Sequence, residues 1–431
     1  MAYRGWLQLG SNEIANSARV VSYMRNGIKN ASTEIVTDDS WPLLPVWLGR
    51  ESVWTTPAAD DDCPWFDYSQ PASAEFAGVW PLRVDGLDST PLERETMEGA
   101  VAGGGFGVKR TPPRKIEVEA VLVASTPAGL QYGLAWLGAA LRGENCSDDE
   151  APRRLQFLES APPVVPEATP DETRLAGDER LRMIADVALT EEIKVDETFS
   201  PWSEEHRGAC CAKVTFTLTA GVPWVWRNPI PLVSGIRPRQ GVAMRTIFEN
   251  VGPGGVLARC DTDNDLLVDP AAAPLSEIPR PVSPNATIGT QPLASLRSQW
   301  VLNAGRLPIW SETLPTVTVQ TGPQPERSLR FQWVTGIVGN SDELACRSVG
   351  EAIVTYVPAN AHLTLDAVTG RATVVTAGGE ELDATPVTTG RWGGPWRPPV
   401  LRCSQTYTLV VDALTNVHPN VTVSVEGMVR R

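Results

Sequence analysis

Apolar and polar residues alternate over several stretches in the first half of the chain. Charged side chains occupy every second position between residues 115 and 119, and apolar side chains lie between and after them. A period of two is that of a half-buried strand, so we predict a strand over residues 115–123. Similar patterns predict strands at residues 5–9, 181–189, 193–196 and 214–220, and another that runs through residues 18–21.

A helical period follows the strand at 115–123 directly. Four leucines between residues 130 and 141 recur three or four positions apart, as on one face of a helix. Ser125-Thr126-Pro127 supplies an N-cap and a first-turn proline, and Gly143 supplies a stop. We predict a helix here that packs its leucines on the neighbouring sheet.

Residues 39–110 show no regular period. They contain clusters with Trp or Pro, an acidic run at 60–62 and three glycines at 103–105 that we interpret as a flexible hinge. We therefore expect an irregular, loop-rich excursion anchored by aromatic residues. With the strands and the helix, the pattern predicts a β-sandwich crossed by one helix for residues 1–228.

Prolines dominate residues 229–293, where they keep the backbone extended and remove hydrogen-bond donors. This composition predicts a stiff connector or an arm, with disorder as the alternative. Residues 294–431 return to short alternating stretches separated by turns, which indicates a second β-sandwich or jelly roll. Its predicted strands include residues 316–319, 329–334, 352–357, 363–365, 372–375, 407–411 and 421–425.

The charge balance disfavours some partners. The chain has 37 basic and 51 acidic residues, a net charge of −14. It lacks the cationic field that holds free nucleic acid or an anionic membrane surface. No apolar run approaches the roughly 20 residues that cross a bilayer, and the first residues do not resemble a secretory signal. We expect a protein made in a cytosol, which stays there or leaves by lysis.

The cysteines do not form a recognisable framework. The seven cysteines show no CxxC pair, and two of them, Cys210 and Cys211, are adjacent. Reduced, buried thiols are favoured over disulfides, and the three histidines make a zinc site improbable.

Catalytic motifs are missing from the sequence. It contains no GxSxG, HExxH, P-loop or Rossmann fingerprint, and its three histidines leave few general bases. Acidic residues are common but no pair stands out, so glycoside hydrolysis by two carboxylates stays an open alternative. We expect no enzyme activity and no cofactor.

One acidic turn is a weak candidate for a metal site. Asp261, Asp263 and Asp265 alternate like the first ligands of a calcium loop. The sixth position is Leu266 instead of glycine, and no glutamate stands at the twelfth. A solvated acidic turn is therefore favoured, and we assign no metal.

A Gly- and Pro-rich segment near the C-terminus carries Trp392, Trp396 and Arg397. Tryptophan rings on such a loop can stack on sugars, and Trp and Arg are also common anchors of protein interfaces. Burial at one end of the sandwich or at a subunit contact is favoured, because Trp is more often buried than displayed. The segment is a candidate for glycan or interface contact.

The chain resembles minor tail proteins of long-tailed phages (siphoviruses) of actinobacteria, specifically those similar to distal tail proteins. The resemblance rests on short motifs whose order spans nearly the whole chain, while residues 39–110 are not matched. The motifs lie at residues 3–7, 13–20, 116–123, 132–137, 141–143, 216–224, 267–270, 363–366, 394–396, 401 and 407–408.

The resemblance implies a virion protein at the distal end of the tail. Its N-terminal domain would form a closed ring around the channel, as a hexamer or alternatively a trimer. Its C-terminal domain would be an outward-facing jelly roll similar to galectins and carbohydrate-binding modules. The expected partners are further copies, the tail tube protein, the tape-measure protein and other tail-tip or baseplate proteins, with DNA passing only transiently and no membrane insertion.

The predicted function is therefore structural: a ring that joins the tail tube to tip and host-recognition proteins. The alternative from another class is a host-glycan-binding module of the tail tip. A glycan hydrolase is the third reading.

Overall fold

The protein forms two compact units in the computed structural model, Met1–Asn228 (unit 1) and Pro229–Arg431 (unit 2). Both consist mainly of antiparallel strands, which confirms the predicted mainly β class. No helix among the described residues is long and apolar enough to cross a bilayer. The structure describes residues 2–26, 41–50, 54–98, 103–143, 153–164, 169–199, 210–244, 295–302, 311–339, 347–390, 394–402, 405–414 and 416–431.

Unit 1 is built around one antiparallel sheet. Its strands are β1 (Tyr3–Leu9), β2 (Asn12–Asn16), β3 (Phe76–Asp85), β4 (Thr96–Glu98), β5 (Gly104–Phe106), β6 (Arg114–Ala124), β7 (Arg153–Leu158), β8 (Leu181–Phe199), β9 (Cys210–Ala220) and β10 (Val225–Arg227). Its helices are α1 (Ser17–Asn26), α2 (Leu44–Trp47), α3 (Pro127–Arg142) and α4 (Pro170–Asp178). The sheet order is β3–β6–β9–β8–β7–β1–β2, with β10 also paired to β8.

Helix α3 confirms the helix predicted from the leucine period. The Thr126 side chain accepts a hydrogen bond from the Gly129 N–H at 3.0 Å, and Gly143 ends the helix in the left-handed conformation at φ 81°. Leu137 and Leu141 are fully buried in the core beside the sheet. The cap, the period and the stop all point to the same element, which is why this prediction succeeded.

Helix α1 corrects the strand predicted through residues 18–21. The Asn16 side chain accepts a hydrogen bond from the Arg19 N–H at 3.0 Å, the contact that an N-cap makes three residues into a helix. Val20 and Tyr23 then face the core. The short apolar run fits either period, and the cap decides in favour of the helix.

Helices α2 and α4 are further additions to the single predicted helix. At α4, the Thr169 side chain accepts from the Glu172 N–H, and the Glu172 carboxylate accepts from the Thr169 N–H. This reciprocal capping box is readable in the sequence as a threonine followed three positions later by a glutamate.

The stretch 39–110 is not only an excursion, because β3 is a strand of the main sheet paired with β6. Six consecutive residues from Phe76 to Pro81 are buried, so the strand shows no alternation. Pro81 stands at a register shift, one of the few places where a sheet accepts proline. Trp54 and Trp65 enter the core, in agreement with the expected aromatic anchors.

Strand β8 corrects the prediction of two separate strands. It runs without a break over 19 residues, and its pairing with β9 shifts register at three points. Each shift is a bulge that inserts a residue and resets the facing of the side chains. The bulges interrupt the alternation on which the sequence prediction depended.

Unit 2 is a two-sheet β-sandwich. Its strands are β11 (Ile230–Ile236), β12 (Val242–Met244), β13 (Ser295–Leu302), β14 (Glu312–Gln320), β15 (Glu326–Thr335), β16 (Ser348–Val357), β17 (His362–Leu365), β18 (Ala372–Val375), β19 (Glu381–Asp383), β20 (Thr388–Gly390), β21 (Tyr407–Leu414) and β22 (Thr422–Arg430). One sheet runs β11–β22–β14–β17–β18–β19, and the other β12–β13–β21–β15–β16–β20. Val317 and Leu363 of the first sheet share one core with Phe331, Trp333 and Leu409 of the second. The strands predicted from residue 316 onward are confirmed.

The segment expected to be a connector enters this sandwich. Residues 230–236 form β11, which pairs with β22 at the edge of its sheet, and residues 242–244 pair with β13. Pro231 lies opposite Glu426 in an edge strand, where a missing N–H is tolerated. Residues 245–293, the larger part of the expected arm, lie outside the described residues.

Candidate functional site

The second half of β8 has one edge with which no described strand pairs. Strand β7 covers one side of β8 only as far as Val187, whereas β9 follows the other side to Phe199. Among the described residues no strand pairs with the first side beyond Val187. We call residues 188–199 the open edge. Its backbone N–H and C=O groups are available to a further strand.

The open edge is acidic and partly apolar. It carries Glu191, Glu192, Asp196 and Glu197 against the single basic residue Lys194. Val195 and Phe199 are 43% and 40% exposed. Acidic side chains and bulges on an edge disfavour its pairing with an identical edge, because like charges would meet. The surface is therefore suited to a different partner strand.

A second exposed surface is the two-stranded ribbon formed by β4 and β5. We use the name ribbon for residues 92–98 and 103–110. Phe106 and Val108 are 74% and 81% exposed, and Leu92 and Met97 are each 60% exposed. The ribbon pairs with no other described strand. Glycines 103–105 belong to this hairpin, which corrects the interpretation of a flexible hinge.

Arg114 anchors the base of the ribbon. It is 1% exposed and donates hydrogen bonds to the carbonyl oxygens of Pro223 at 2.7 Å and Ser89 at 2.8 Å, and to that of Gly86. Gly86 has φ +88°, and a Cβ there would lie 2.0 Å from the Lys115 carbonyl oxygen. The guanidinium group thus fixes the loop that leads into the ribbon against the start of β6.

A network of charged residues joins α1 to the segment 54–62. Arg19 is buried, donates to Glu13 at 2.8 Å and Asp62 at 3.1 Å, and lies 4.6 Å from the Trp54 ring centroid. Arg50 also donates to Asp62. Burial alone would raise the pKa of Asp62, but the hydrogen bonds from Arg50 and Arg19 lower it to about 2. A general acid for glycoside hydrolysis needs a raised pKa, so Asp62 does not fit that role.

This network is expected to make folding sensitive to strong acid. The pKa of Asp62 is depressed from 3.8 to about 2 in the folded chain, so its contribution to stability is present above pH 3.8. The contribution falls as the pH drops from about 4 through about 2. Thermal melts of the wild type and Asp62→Asn between pH 5 and pH 2 check this. The melting temperatures of the two proteins should converge near pH 2. A difference in melting temperature that stays constant from pH 5 to pH 2 would contradict the stabilising role of the Asp62 carboxylate.

The described thiols are free; Cys210 and Cys211 are buried and Cys63 is partly buried. Cys63, Cys210 and Cys211 form no disulfide. Burial raises the pKa of Cys63 to about 11 and, with the neighbouring Cys210, that of Cys211 to about 11. The protonated thiol is a poor nucleophile and metal ligand, so these cysteines act as small apolar residues.

The sequence-predicted contact residues fall in different environments. Trp396 is 4% exposed and belongs to the core of unit 2, whereas Arg397 is exposed. Trp392 lies outside the described residues, as do Asp261, Asp263 and Asp265. Within the part of the chain that the structure describes, no three His, Cys, Asp or Glu side chains are grouped to hold a metal ion.

The outer face of the six-stranded sheet in unit 2 carries a row of polar residues. Arg297, Asp412 and Arg330 are register neighbours on β13, β21 and β15. Arg297 donates to both carboxylate oxygens of Asp412, at 2.8 and 3.1 Å, and Arg330 donates to Glu351 at 2.8 Å. Asp412 is 1% exposed, so this pair connects neighbouring strands in a buried position.

Sequence reasoning missed both exposed surfaces of unit 1. The open edge was hidden because bulges divide β8 into two apparent strands. The ribbon was hidden because glycine is depleted in strands, so residues 103–105 indicated a loop. The available signal was Phe106 and Val108, two apolar residues at alternating positions on either side of Gly107.

Comparison with protein-family models finds no match, and neither does comparison with curated protein sequences. Among solved structures, the protein is similar to the Dit protein (gp 19.1) of phage SPP1, described as a paradigm of the hub adsorption apparatus in phages that infect Gram-positive bacteria. The identity is 13%, the match covers 79% of this chain and 94% of that chain, and the TM-score is 0.33. A TM-score of this size does not establish a shared fold.

Proposed function

We propose that this chain is a structural, non-enzymatic protein of a phage tail tip, a distal or minor tail protein whose copies assemble into a ring. The ordered motifs described above support the class of protein. The observation that carries the assembly role is the open edge of β8, a strand edge in unit 1 left without a described partner.

The ring is proposed to join the tail tube to the tip and host-recognition proteins, with the tape-measure protein as a further neighbour. A hexamer is the expected stoichiometry and a trimer the alternative. Unit 1 offers two dissimilar surfaces, the ribbon and the open edge, as head-to-tail contacts require. Such contacts close into a ring when the rotation between copies divides a full turn.

An acidic inner wall is part of the proposal, because it would let DNA pass without binding. The chain has a net charge of −14, and the outward face of β6 carries Glu117 and Glu119 together with Lys115. Like charges on wall and phosphate backbone repel. The charge lining the channel of an assembled ring tests this idea, and a basic lining would contradict it.

The function is tested by electron microscopy of intact particles labelled with antibody against this chain, together with images of the purified protein. Label at the distal end of the tail is the expected result, with ring-shaped particles as further support. Particles that carry no label would overturn the assignment.

Host-glycan binding by unit 2 is the alternative. The burial of Trp396 weighs against that residue as a sugar platform, since stacking needs an exposed ring face. Measurable affinity for a host glycan that is lost on changing Trp392 would favour this alternative over a purely structural role.

A further inference from the structure

We infer that the ribbon of one copy adds as an extra strand to the open edge of β8 in a second copy. The inference rests on the proposed ring function and names the two surfaces that meet in it. The occupant of the open edge is thus a second copy of this chain, and the contact is head-to-tail.

The ribbon has the properties of a docking arm. Two strands alone are marginally stable in water, and they gain stability by packing or by further strands. Leu92, Phe106 and Val108 are apolar and more than half exposed. Arg94 lies over the Phe106 ring with its guanidinium carbon 5.8 Å from the centroid, which orients an otherwise solvent-exposed aromatic side chain.

The backbone of β5 can approach another strand closely. A Cβ on Gly105 would meet no atom within 4 Å, so packing against the described residues does not explain glycine at this position. Glycine inside a strand often marks a place where another backbone comes near. Strand addition supplies main-chain hydrogen bonds, and flanking side chains supply specificity.

Charge favours the ribbon over a second open edge as the occupant. Residues 103–110 carry Lys109 and Arg110 and no acidic residue, while the ribbon as a whole balances three basic residues against the three acidic residues Glu93, Glu95 and Glu98. The open edge has four acidic residues against one basic residue. Two open edges would repel each other, whereas β5 with its basic extension is attracted. Exposed Val195 and Phe199 provide apolar partners for Phe106 and Val108.

The open edge runs along the length of the sheet, because Ala188 pairs with Thr219, which pairs with Lys115 beside the base of the ribbon. The ribbon leaves unit 1 near Arg114, at the end of β6 that pairs with Ala220. Phe199 pairs with Cys211, which pairs with Val123 near the other end of β6. The Phe199 end of the open edge therefore lies on the order of 30 Å from the base of the ribbon along β6, at 3.3 Å per residue. Two different surfaces on one unit favour a chain of copies over a symmetric pair.

A cross-linking experiment tests the contact directly. The full chain carries the photoreactive residue p-benzoylphenylalanine at position 106 and is mixed with ¹⁵N-labelled wild type, both purified and in assembled particles. We expect mixed-isotope cross-links that end within residues 188–199. Cross-links within one copy, cross-links that end elsewhere, or none in either preparation would overturn the inference.

A matched pair of variants gives an independent readout. Phe106→Asp should lower the association constant between copies by about tenfold or more, since aromatic anchors dominate interfaces. Tyr68→Asp is the control, because Tyr68 is also an exposed aromatic, at 87%, and lies outside the ribbon. Equal effects of the two changes on sedimentation would contradict the role of Phe106.

Charge reversal adds a rescue test. Lys109→Glu with Arg110→Glu should weaken association, and adding Glu192→Lys with Glu197→Lys should restore it to within about threefold. Failure of the rescue would count against this pairing of surfaces.

The results also separate this inference from the proposed function. Antibody label at the tail tip, combined with cross-links to a site other than residues 188–199, would support the proposed function and overturn this inference. Cross-links to residues 188–199, combined with particles that carry no antibody label, would support the contact between copies and overturn the tail-tip function.

Discussion

Arg114→Met is expected to lower the free energy of unfolding by about 3–5 kcal/mol. The guanidinium group is buried and donates to three backbone carbonyl oxygens, of Gly86, Ser89 and Pro223. Methionine fills similar volume but donates nothing, so each carbonyl loses a charge-assisted hydrogen bond away from water. A buried acceptor that loses its donor costs about 1–3 kcal/mol. Urea unfolding of the full chain, followed by tryptophan fluorescence and circular dichroism, measures the change.

Arg83→Met is the matched control. The Arg83 side chain is 69% exposed and pairs with Asp85 on the surface of β3. Exposed pairs contribute about 0–1 kcal/mol, so this variant should unfold nearly as the wild type does. If Arg114→Met is no more destabilising than Arg83→Met, the anchoring role of Arg114 is wrong.

Asp412→Ala is expected to destabilise unit 2 by about 3–5 kcal/mol. Asp412 is 1% exposed and accepts two hydrogen bonds from Arg297, which is 8% exposed. Removing one partner leaves an uncompensated buried charge, and this accounts for most of the cost. The same unfolding measurement applies, with the loss of strand signal as the readout.

The double change Arg297→Met with Asp412→Leu separates charge from packing. It removes both charges and keeps apolar volume, so most of the lost stability should return. Glu312→Ala, which removes the exposed partner of Arg430 between β14 and β22, should cost about 0.5 kcal/mol or less. A small effect of Asp412→Ala, comparable to that of Glu312→Ala, would refute the structural role of the buried pair.

The sequence predicted those elements in which several local signals agree. Helix α3 has a cap, an apolar period and a glycine stop, and the strands of unit 2 from residue 316 onward, apart from the almost wholly buried β21, are short alternating stretches between turns. In both cases the residues that favour the helix or strand locally are also the residues that the fold needs at those buried or exposed positions. Patterning alone was then enough to locate the element.

The missed elements are those in which tertiary contacts override the local pattern. Strand β3 is buried without alternation, β8 is divided by bulges, and α1 depends on one side-chain cap at Asn16. The candidate surfaces of unit 1 were missed for a related reason. Glycine and acidic residues are normally signs of loops, and only the pairing partners show that here they line strand edges.

The protonated thiols affect the resistance of the protein to oxidation. If the protein is a tail component, as we propose, lysis would carry it from a reducing cytosol into air-saturated surroundings without repair enzymes. Oxidation of cysteine proceeds through the thiolate, and with pKa values of about 11 Cys63 and Cys211 are almost wholly protonated near neutral pH. Burial that serves packing inside the cell thus also slows oxidative ageing outside it.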